Sequence, residues 1–292
     1  MAESKGRIFV CDGNWYLHRC YHVLNGKSSR PIEETLPINF MNMVLKDAVL
    51  TRCTHVLVAF DGHDIFRYKV YPDYKASRSE KSKIAAQEEG YQNVYVCLPQ
   101  VRKLFADHGI TLIQQKKYEA DDVWASAAAQ YSEAGYTVVG GCKDKDGFQA
   151  LRPGVRMFDS SAKPEPKYMD AAKAEKAKGV PVSKMVMLQT LIGDAIDDIP
   201  SVLSLAKAKA VCNKYPSIKA WYEDADKETK RMIRAKQAQM MINKQLVSLK
   251  TDLALPDPST LVPAKKQITE MSKWWYAHQD LCYPKRKSLF KR

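Results

Sequence analysis

Carboxylates come from five separate segments of the chain: Asp12; Asp61; Glu119, Asp121 and Asp122; Asp144 and Asp146; and Asp194, Asp197 and Asp198. Taken singly, each has an ordinary structural use. An Asp that follows a strand commonly caps a helix or closes a turn. Glu119-Ala120-Asp121-Asp122 places negative charge where the start of a helix favours it, and Asp144-Lys145-Asp146 reads as a turn. These uses account for each position without accounting for the surplus. Carboxylates gathered without matching Lys or Arg repel one another and persist where a cation neutralises them. A hard divalent ion, Mg²⁺ or Mn²⁺, takes oxygen ligands in octahedral geometry. Two such ions about 3.5–4 Å apart activate a water and stabilise the leaving oxygen of a phosphodiester.

The elements that must position these acids are legible as short apolar runs, each ending in or closely followed by an acid: Arg7 to Asp12, His55 to Asp61, and Tyr136 to Asp144. Continuous apolar runs of this length read as buried parallel strands, and Ile110 to Ile113 adds another. Helical patterns lie between them at Ile38 to Leu50, Val94 to His108 and Ala120 to Ala134. The alternation predicts an α/β class with a mostly parallel central sheet flanked by helices. Ligands of open parallel sheets bind outside the carboxyl ends of the strands, which is where the acids would gather.

Residues 63–90 break this rhythm: Arg67, Lys69, Lys75, Arg78, Lys81 and Lys83 crowd a polar stretch containing Pro72, which reads as an excursion from the sheet. After Met157-Phe158-Asp159 a Pro-containing link leads into an Ala/Lys-rich segment, and from Val182 onward the pattern is helical. The expected division is an α/β core over residues 1–165 and a smaller helical region over 166–292, with a Pro-rich loop at Asp252 to Pro263 and a basic tail from Lys285 to Arg292.

Lys plus Arg number 46 against 33 Asp plus Glu, a formal charge of +13. That balance favours a polyanionic partner, nucleic acid first, though a basic surface without such a partner satisfies the composition equally. The seven cysteines are odd in number, scattered and never spaced C-x-x-C, which argues against zinc and a disulfide framework and for a reducing cytoplasm. The first residues run directly into a strand, and no apolar run approaches the ~18 residues that span a bilayer. A cytoplasmic protein without membrane contact is expected.

The motifs together carry a resemblance. Val10-Cys11-Asp12-Gly13-Asn14, Phe60-Asp61, Phe66-Arg67, Tyr71-Pro72-Asp73-Tyr74-Lys75-Ala76-Ser77-Arg78, Glu119-Ala120-Asp121-Asp122, Asp144-Lys145-Asp146 with Gln149, and Gly193-Asp194-Ala195-Ile196-Asp197-Asp198-Ile199-Pro200 stand in the order found in the 5′-nuclease superfamily. That superfamily includes phage flap endonucleases and the 5′-nuclease domain of bacterial DNA polymerase I. The resemblance covers residues 7 to about 215. It implies a 5′-3′ exonuclease or flap endonuclease acting on DNA with 5′ ends, flaps or nicks, with RNA–DNA hybrids as a further substrate class and a monomer as the working form. A freestanding chain of this length suits a bacteriophage.

Residue by residue, the resemblance implies one Mg²⁺ or Mn²⁺ around Asp12, Asp61, Glu119 and Asp121 and a second around Asp144, Asp146 and Asp194, with Asp122 and Asp197 as shared or outer-sphere members. The basic excursion matches the family's helical arch, so Tyr74, Lys75 and Arg78 would face the 5′ strand, Lys75 at the scissile phosphate. A solvated basic loop with Tyr74 as packing is the competing reading. Arg67, Lys81 and Lys83 become expected DNA contacts, and Lys207 and Lys209 supply others in a helix-hairpin-helix-like region. There the chain departs from the family, whose glycine-rich hairpin holds duplex phosphates and a monovalent cation. Ser201 to Ala210 contains no glycine; residues with a Cβ do not readily take φ > 0 or allow the same close approach, which puts a K⁺ site in doubt. Asp198 stands where Asn is usual. Two alternatives share parts of this pattern. An RNA-directed nuclease shares the acid cluster, and a non-catalytic DNA-binding relative would be free to lose acids that are all present here.

Overall fold

A computed structural model describes residues 4–24, 31–78, 94–162 and 167–261, with Thr269 and Lys273. Six strands form one sheet: β1 (Arg7–Asp12), β2 (His55–Phe60), β3 (Thr111–Gln114), β4 (Thr137–Gly141), β5 (Val155–Asp159) and β6 (Lys167–Met169), in the order β3-β2-β1-β4-β5-β6. The first five run parallel and β6 pairs antiparallel with β5. β1 lies between β2 and β4, with Asp12 level with Ala59 and Cys11 level with Gly141. The carboxyl ends of the strands therefore share one edge, and Asp12, Asp61 and Asp144 emerge there.

Both faces of the sheet are covered, which is why its strands are apolar without interruption. Ile8 and Val10 of β1, with Leu57 and Ala59 of β2, pack in one core cluster. Phe9, Cys11, Val56, Val58 and Phe60 pack in the other. The second face is covered by α1 (Gly13–Leu24), α2 (Ile32–Leu50) and α4 (Leu98–Asp107), and the first by α5 (Ala120–Glu133). Each large side chain so buried contributes roughly 1.5–3 kcal/mol. That explains why α2 begins at Ile32, six residues before the expected start: Pro37 removes a helical hydrogen bond, but Leu36, Phe40 and Met41 are fully buried around it. The short α3 (Phe66–Val70) opens the basic excursion.

β5 and β6 are absent from the sequence expectation, and the sheet runs on to Met169, beyond the boundary expected near 165. Then follow α6 (Ala171–Lys178), α7 (Met185–Ile192), α8 (Leu205–Lys214), α9 (Ile218–Asp224), α10 (Lys227–Ala235) and α11 (Gln237–Val247). Asp170, Ser217 and Asp226 cap α6, α9 and α10 by accepting from backbone N–H groups of their first turns. Met185, Leu188, Leu191, Cys212, Trp221 and Met240 join the same cluster as Ile8 and Val138, so the helical region and the sheet share a core. After α11 the chain turns back along α5, where Ser126 Oγ donates to Lys250 O (3.0 Å) and Gln130 Nε2 donates to Leu253 O (2.8 Å). The described part of the Pro-rich stretch, up to residue 261, has a short helical turn at Pro258–Thr260; the basic tail lies outside the described residues. No described helix is long and apolar enough to cross a membrane.

Candidate active site

Four acids at the sheet edge are oriented by backbone amides. Asp12 Oδ1 accepts from Trp15 N at 3.0 Å, fixing the start of α1. Asp61 Oδ1 accepts from Ala120 N at 2.8 Å, tying β2 to the first residue of α5. Asp144 Oδ1 accepts from Asp146 N (3.0 Å) and Asp194 Oδ1 from Ile196 N (2.7 Å). Asp194 and Ile199 also exchange two backbone hydrogen bonds, which closes the loop after α7. Gly193 makes that closure possible: its φ is +66°, and a Cβ there would lie 2.3 Å from Ile199 O. Capping and turn formation thus aim the carboxylates rather than competing with a role at the site.

The result is a cavity of about 750 Å³ lined by Asp12, Asp61, Glu119, Asp121, Asp144, Asp146, Asp194 and Asp197, with Lys75 and Arg78 at its wall. A smaller cavity of about 510 Å³ adjoins it, sharing Asp61, Lys75, Arg78 and Glu119. Among the described residues no three His, Cys, Asp or Glu side chains form a ready-made ligand set; the acids converge as a pool. Burial, with the charges of Asp61 and Asp144, pushes the Asp12 carboxyl up to about 7 against the pull of the Trp15 amide. Burial and then Asp144 and Asp12 hold Asp121 well above the usual carboxylate range. Burial, then Asp144, Asp194 and Asp197, raise Asp146 to about 7. The charge of Asp144 acts on all three. A half-buried pool whose neighbouring charges raise Asp12, Asp121 and Asp146 is suited to hold divalent cations through oxygen.

Asp122, Glu119 and Asp197 are not short of positive charge. Arg67, expected to contact DNA, is 1 % exposed and points inward. It donates to Asp122 through Nη1 (2.6 Å) and Nη2 (2.8 Å), to Glu119 Oε2 through Nη1 (2.8 Å) and to Leu246 O through Nε (2.8 Å). Burial excludes a DNA contact. Asp122, expected as an outer-sphere metal residue, has no solvent exposure, and its oxygens also accept from Glu119 N and Lys250 N. Its lone pairs are spent on Arg67 and backbone, which accounts for its absence from the cavity wall. Glu119 is shared: besides Arg67 it meets Lys75 Nζ at 2.5 Å and the Tyr74 hydroxyl at 3.1 Å.

Tyr74 is buried, packed with Ile199, Leu246 and Val247, and donates to Glu119. Only 4 % exposed and not part of the cavity wall, it does not face the space where the 5′ strand was expected. Lys75 lines the cavity with φ +56°, and although burial works to lower its pKa, Glu119, Tyr74 and Asp197 raise it, so the ammonium stays charged. Arg78 is half exposed and paired with Asp197. Lys81 and Lys83 lie outside the described residues. Lys207 and Lys209 sit on α8, away from the acid cavity. In the glycine-free turn before α8, the Val202 and Leu203 amides both donate to Leu191 O, at 2.9 and 2.8 Å.

The cavity also includes residues the sequence reading passed over. Asn14, Trp15, His18 and Tyr95 form one wall, Lys143, Lys145 and Lys178 add positive charge, and Gln189 donates to Asp146. Gln149, quoted above only as part of a motif, donates to Asp146 O and to Val247 O, joining the Asp144 turn to the end of α11.

Comparison with known proteins agrees with this arrangement. The family described as 5′-3′ exonuclease, N-terminal resolvase-like domain, matches residues 7–179. DNA polymerase I of Rhizobium leguminosarum is 30% identical over 85% of this chain, which spans only 25% of that protein. Flap endonuclease Xni of Pseudoalteromonas translucida is 30% identical over 85% of this chain and 90% of its own. The fold matches that of T5 D15 protein co-crystallised with metal ions, with a TM-score of 0.69 at 17% identity, covering 92% of this chain and 99% of that one. By the extent of the family match and of its relatives, the chain belongs to the 5′-3′ exonuclease family.

Proposed function

We propose that this chain is a divalent-metal-dependent nuclease that hydrolyses DNA phosphodiesters near 5′ ends or branches. The observation that carries this reading is the partly buried carboxylate pool at the sheet edge, whose crowding raises Asp12, Asp121 and Asp146, set directly beside Lys75 and Arg78. Relatives named flap endonuclease and 5′-3′ exonuclease support it.

Asp12, Asp61, Asp121, Asp144, Asp146 and Asp194 are the residues that would hold Mg²⁺ or Mn²⁺; both oxygens of Glu119 are already committed to Arg67, Lys75 and Tyr74. The chemistry such ions supply when bound is Lewis-acid stabilisation of phosphate charge and a more acidic water. Lys75 and Arg78 are placed to lend positive charge to phosphoryl oxygens. Glu119 and Asp197 hold these two side chains in place, and an arriving phosphate takes over part of that pairing. Five lining cations, Lys75, Arg78, Lys143, Lys145 and Lys178, draw a polyanion to a site whose floor would otherwise repel it.

The test is parallel digestion of 5′-flap, nicked, single-stranded and RNA–DNA hybrid substrates with Mg²⁺, with Mn²⁺ and with EDTA. Cleavage of flapped or nicked DNA that EDTA abolishes is expected. Turnover by verified metal-free protein would sink the mechanism, and exclusive cleavage of the hybrid would move the reading to RNA.

A further inference from the structure

The loop that carries Asp194 and Asp197 also grips the backbone of the segment that carries Lys75 and Arg78. Asp197 O accepts from Lys75 N at 3.0 Å, and Asp198 Oδ2 accepts from Ser77 N at 2.9 Å. Residues 76–78 are helical, so Ser77 N belongs to a first turn whose amides have no partner within the turn. Asp198 supplies one from a distant part of the chain, in the manner of an N-cap delivered across space. Both partners adopt unusual backbone to do this. Asp198 has φ +58° and Lys75 φ +56°, conformations that side chains with a Cβ avoid unless their surroundings enforce them. Asn and Asp tolerate that region best, which accounts for an Asp here and for Asn as the usual residue in the family pattern, since either side chain presents an acceptor oxygen.

From these contacts we infer that Asp198 is a positioning residue: its carboxylate fixes the turn at residues 76–78 so that Lys75 and Arg78 meet the acid pool in register. The placement does not depend on the ion pairs alone. Lys75 and Arg78 have long flexible side chains, and an ion pair holds a charge near its partner without fixing the backbone behind it. Two hydrogen bonds from consecutive residues do fix it, and the Asp194–Ile199 bridge closes the loop from which they come. Asp198 is therefore coupled to the acids by the shortest covalent path, one residue from Asp197 and four from Asp194. The inference rests on the nuclease reading for its consequence in cleavage, though not for the contact itself.

Three variants of the full chain separate the possibilities. Asp198→Gly relieves the backbone strain but removes the acceptor, Asp198→Asn keeps both the tolerated backbone and an acceptor oxygen, and Asp198→Ala loses both. Amide hydrogen exchange over residues 74–78, measured without metal or DNA, is expected to accelerate about tenfold or more in Asp198→Gly and to return towards the wild-type rate in Asp198→Asn. Single-turnover cleavage of a flapped duplex at saturating enzyme is expected to fall about tenfold in Asp198→Gly, with Kd changed less than about threefold, and to be rescued by Asp198→Asn. Unchanged exchange in Asp198→Gly overturns the cap whatever the activity. Faster exchange with an unchanged cleavage rate overturns the positioning role. Equal losses in Asp198→Gly and Asp198→Asn would show that charge rather than the hydrogen bond matters, and would overturn it too. If the wild type itself cuts none of the DNA substrates, the nuclease reading fails and the exchange data still judge the contact.

Discussion

The guanidinium of Arg67 and the carboxylate of Asp122 face each other through two hydrogen bonds of 2.6 and 2.8 Å, with 1 % and 0 % of the residues exposed. Arg67 also reaches Glu119 and the carbonyls of Leu246 and Ser248, so one buried side chain ties α3, the start of α5 and the end of α11 together. The acid floor of the cavity rests on this clamp.

Removing one partner of such a pair leaves the other charge buried and uncompensated. Arg67→Ala should therefore destabilise the protein by roughly 3–5 kcal/mol, and Arg67→Lys should recover little of it, because an ammonium cannot reproduce the forked contact. Urea unfolding checks this. Whatever fraction remains folded should bind DNA with near wild-type affinity. A folded, fully stable Arg67→Ala with weakened DNA binding would restore Arg67 to the DNA surface and undo the clamp.

The pooled carboxylates predict a pH effect of definite sign. Asp146 titrates near 7 in the folded chain, against about 4 for an unfolded carboxylate. A raised folded pKa means that the contribution to stability is fully present below the unfolded value and is lost as pH rises through the folded one. In EDTA, Asp146→Asn should thus be more stable than wild type at pH 8, on the order of 1–3 kcal/mol, and the gap should shrink as pH falls from 7 towards 4. Thermal melts across that range measure it. Adding Mg²⁺ or Mn²⁺ at pH 8 should stabilise the wild type and close the gap; a gap independent of pH would remove the repulsion on which the metal assignment stands.

Lys75 should act on the rate more than on binding. Its ammonium lies 2.5 Å from Glu119 with 18 % of the side chain exposed, so its charge is held in place before substrate arrives. Lys75→Ala should slow single-turnover cleavage by about one to three orders of magnitude, about 1.4 kcal/mol per tenfold, with a smaller change in Kd. Equal losses in both would make it an ordinary phosphate anchor.

What could be read in the sequence divides along physical lines. β1, β2 and β4 were legible because both faces of the sheet are covered, so each is apolar without a break. β5 was not: Val155-Arg156-Met157-Phe158-Asp159 carries an exposed Arg at its second position, and β6 has only three residues at the sheet's edge. The acids were legible because they follow the strands that place them. Arg67 and Tyr74 were misassigned for the opposite reason. They sit in a basic, polar stretch that looks solvated, and what buries them arrives from Glu119, Asp122 and Leu246, 45 to 179 residues further along the chain. Local composition cannot display a partner so remote. Asp198 lacked an assigned role for the same reason, since Ser77 precedes it by 121 residues.

The turn before α8 gives the last prediction. In family members of the usual pattern a glycine hairpin turns its amides to the duplex phosphates and a monovalent cation. Here the Val202 and Leu203 amides are spent on Leu191 O, and no side chain caps α8 at Ser204. If this region meets a duplex, side-chain charge is what it offers, with Lys207 exposed and Lys209 partly so. Charge of this kind acts through release of counterions, which does not distinguish K⁺ from Na⁺. Affinity of wild-type protein in EDTA for nicked or flapped duplex should fall identically in KCl and NaCl at matched ionic strength. Lys207→Ala combined with Lys209→Ala should flatten the plot of log K against log salt by up to about two units of slope, and with Mg²⁺ restored leave cleavage of bound substrate nearly intact. A clear advantage for K⁺ would mean that a cation site persists without the glycines, and that backbone rather than lysine charge holds the duplex there.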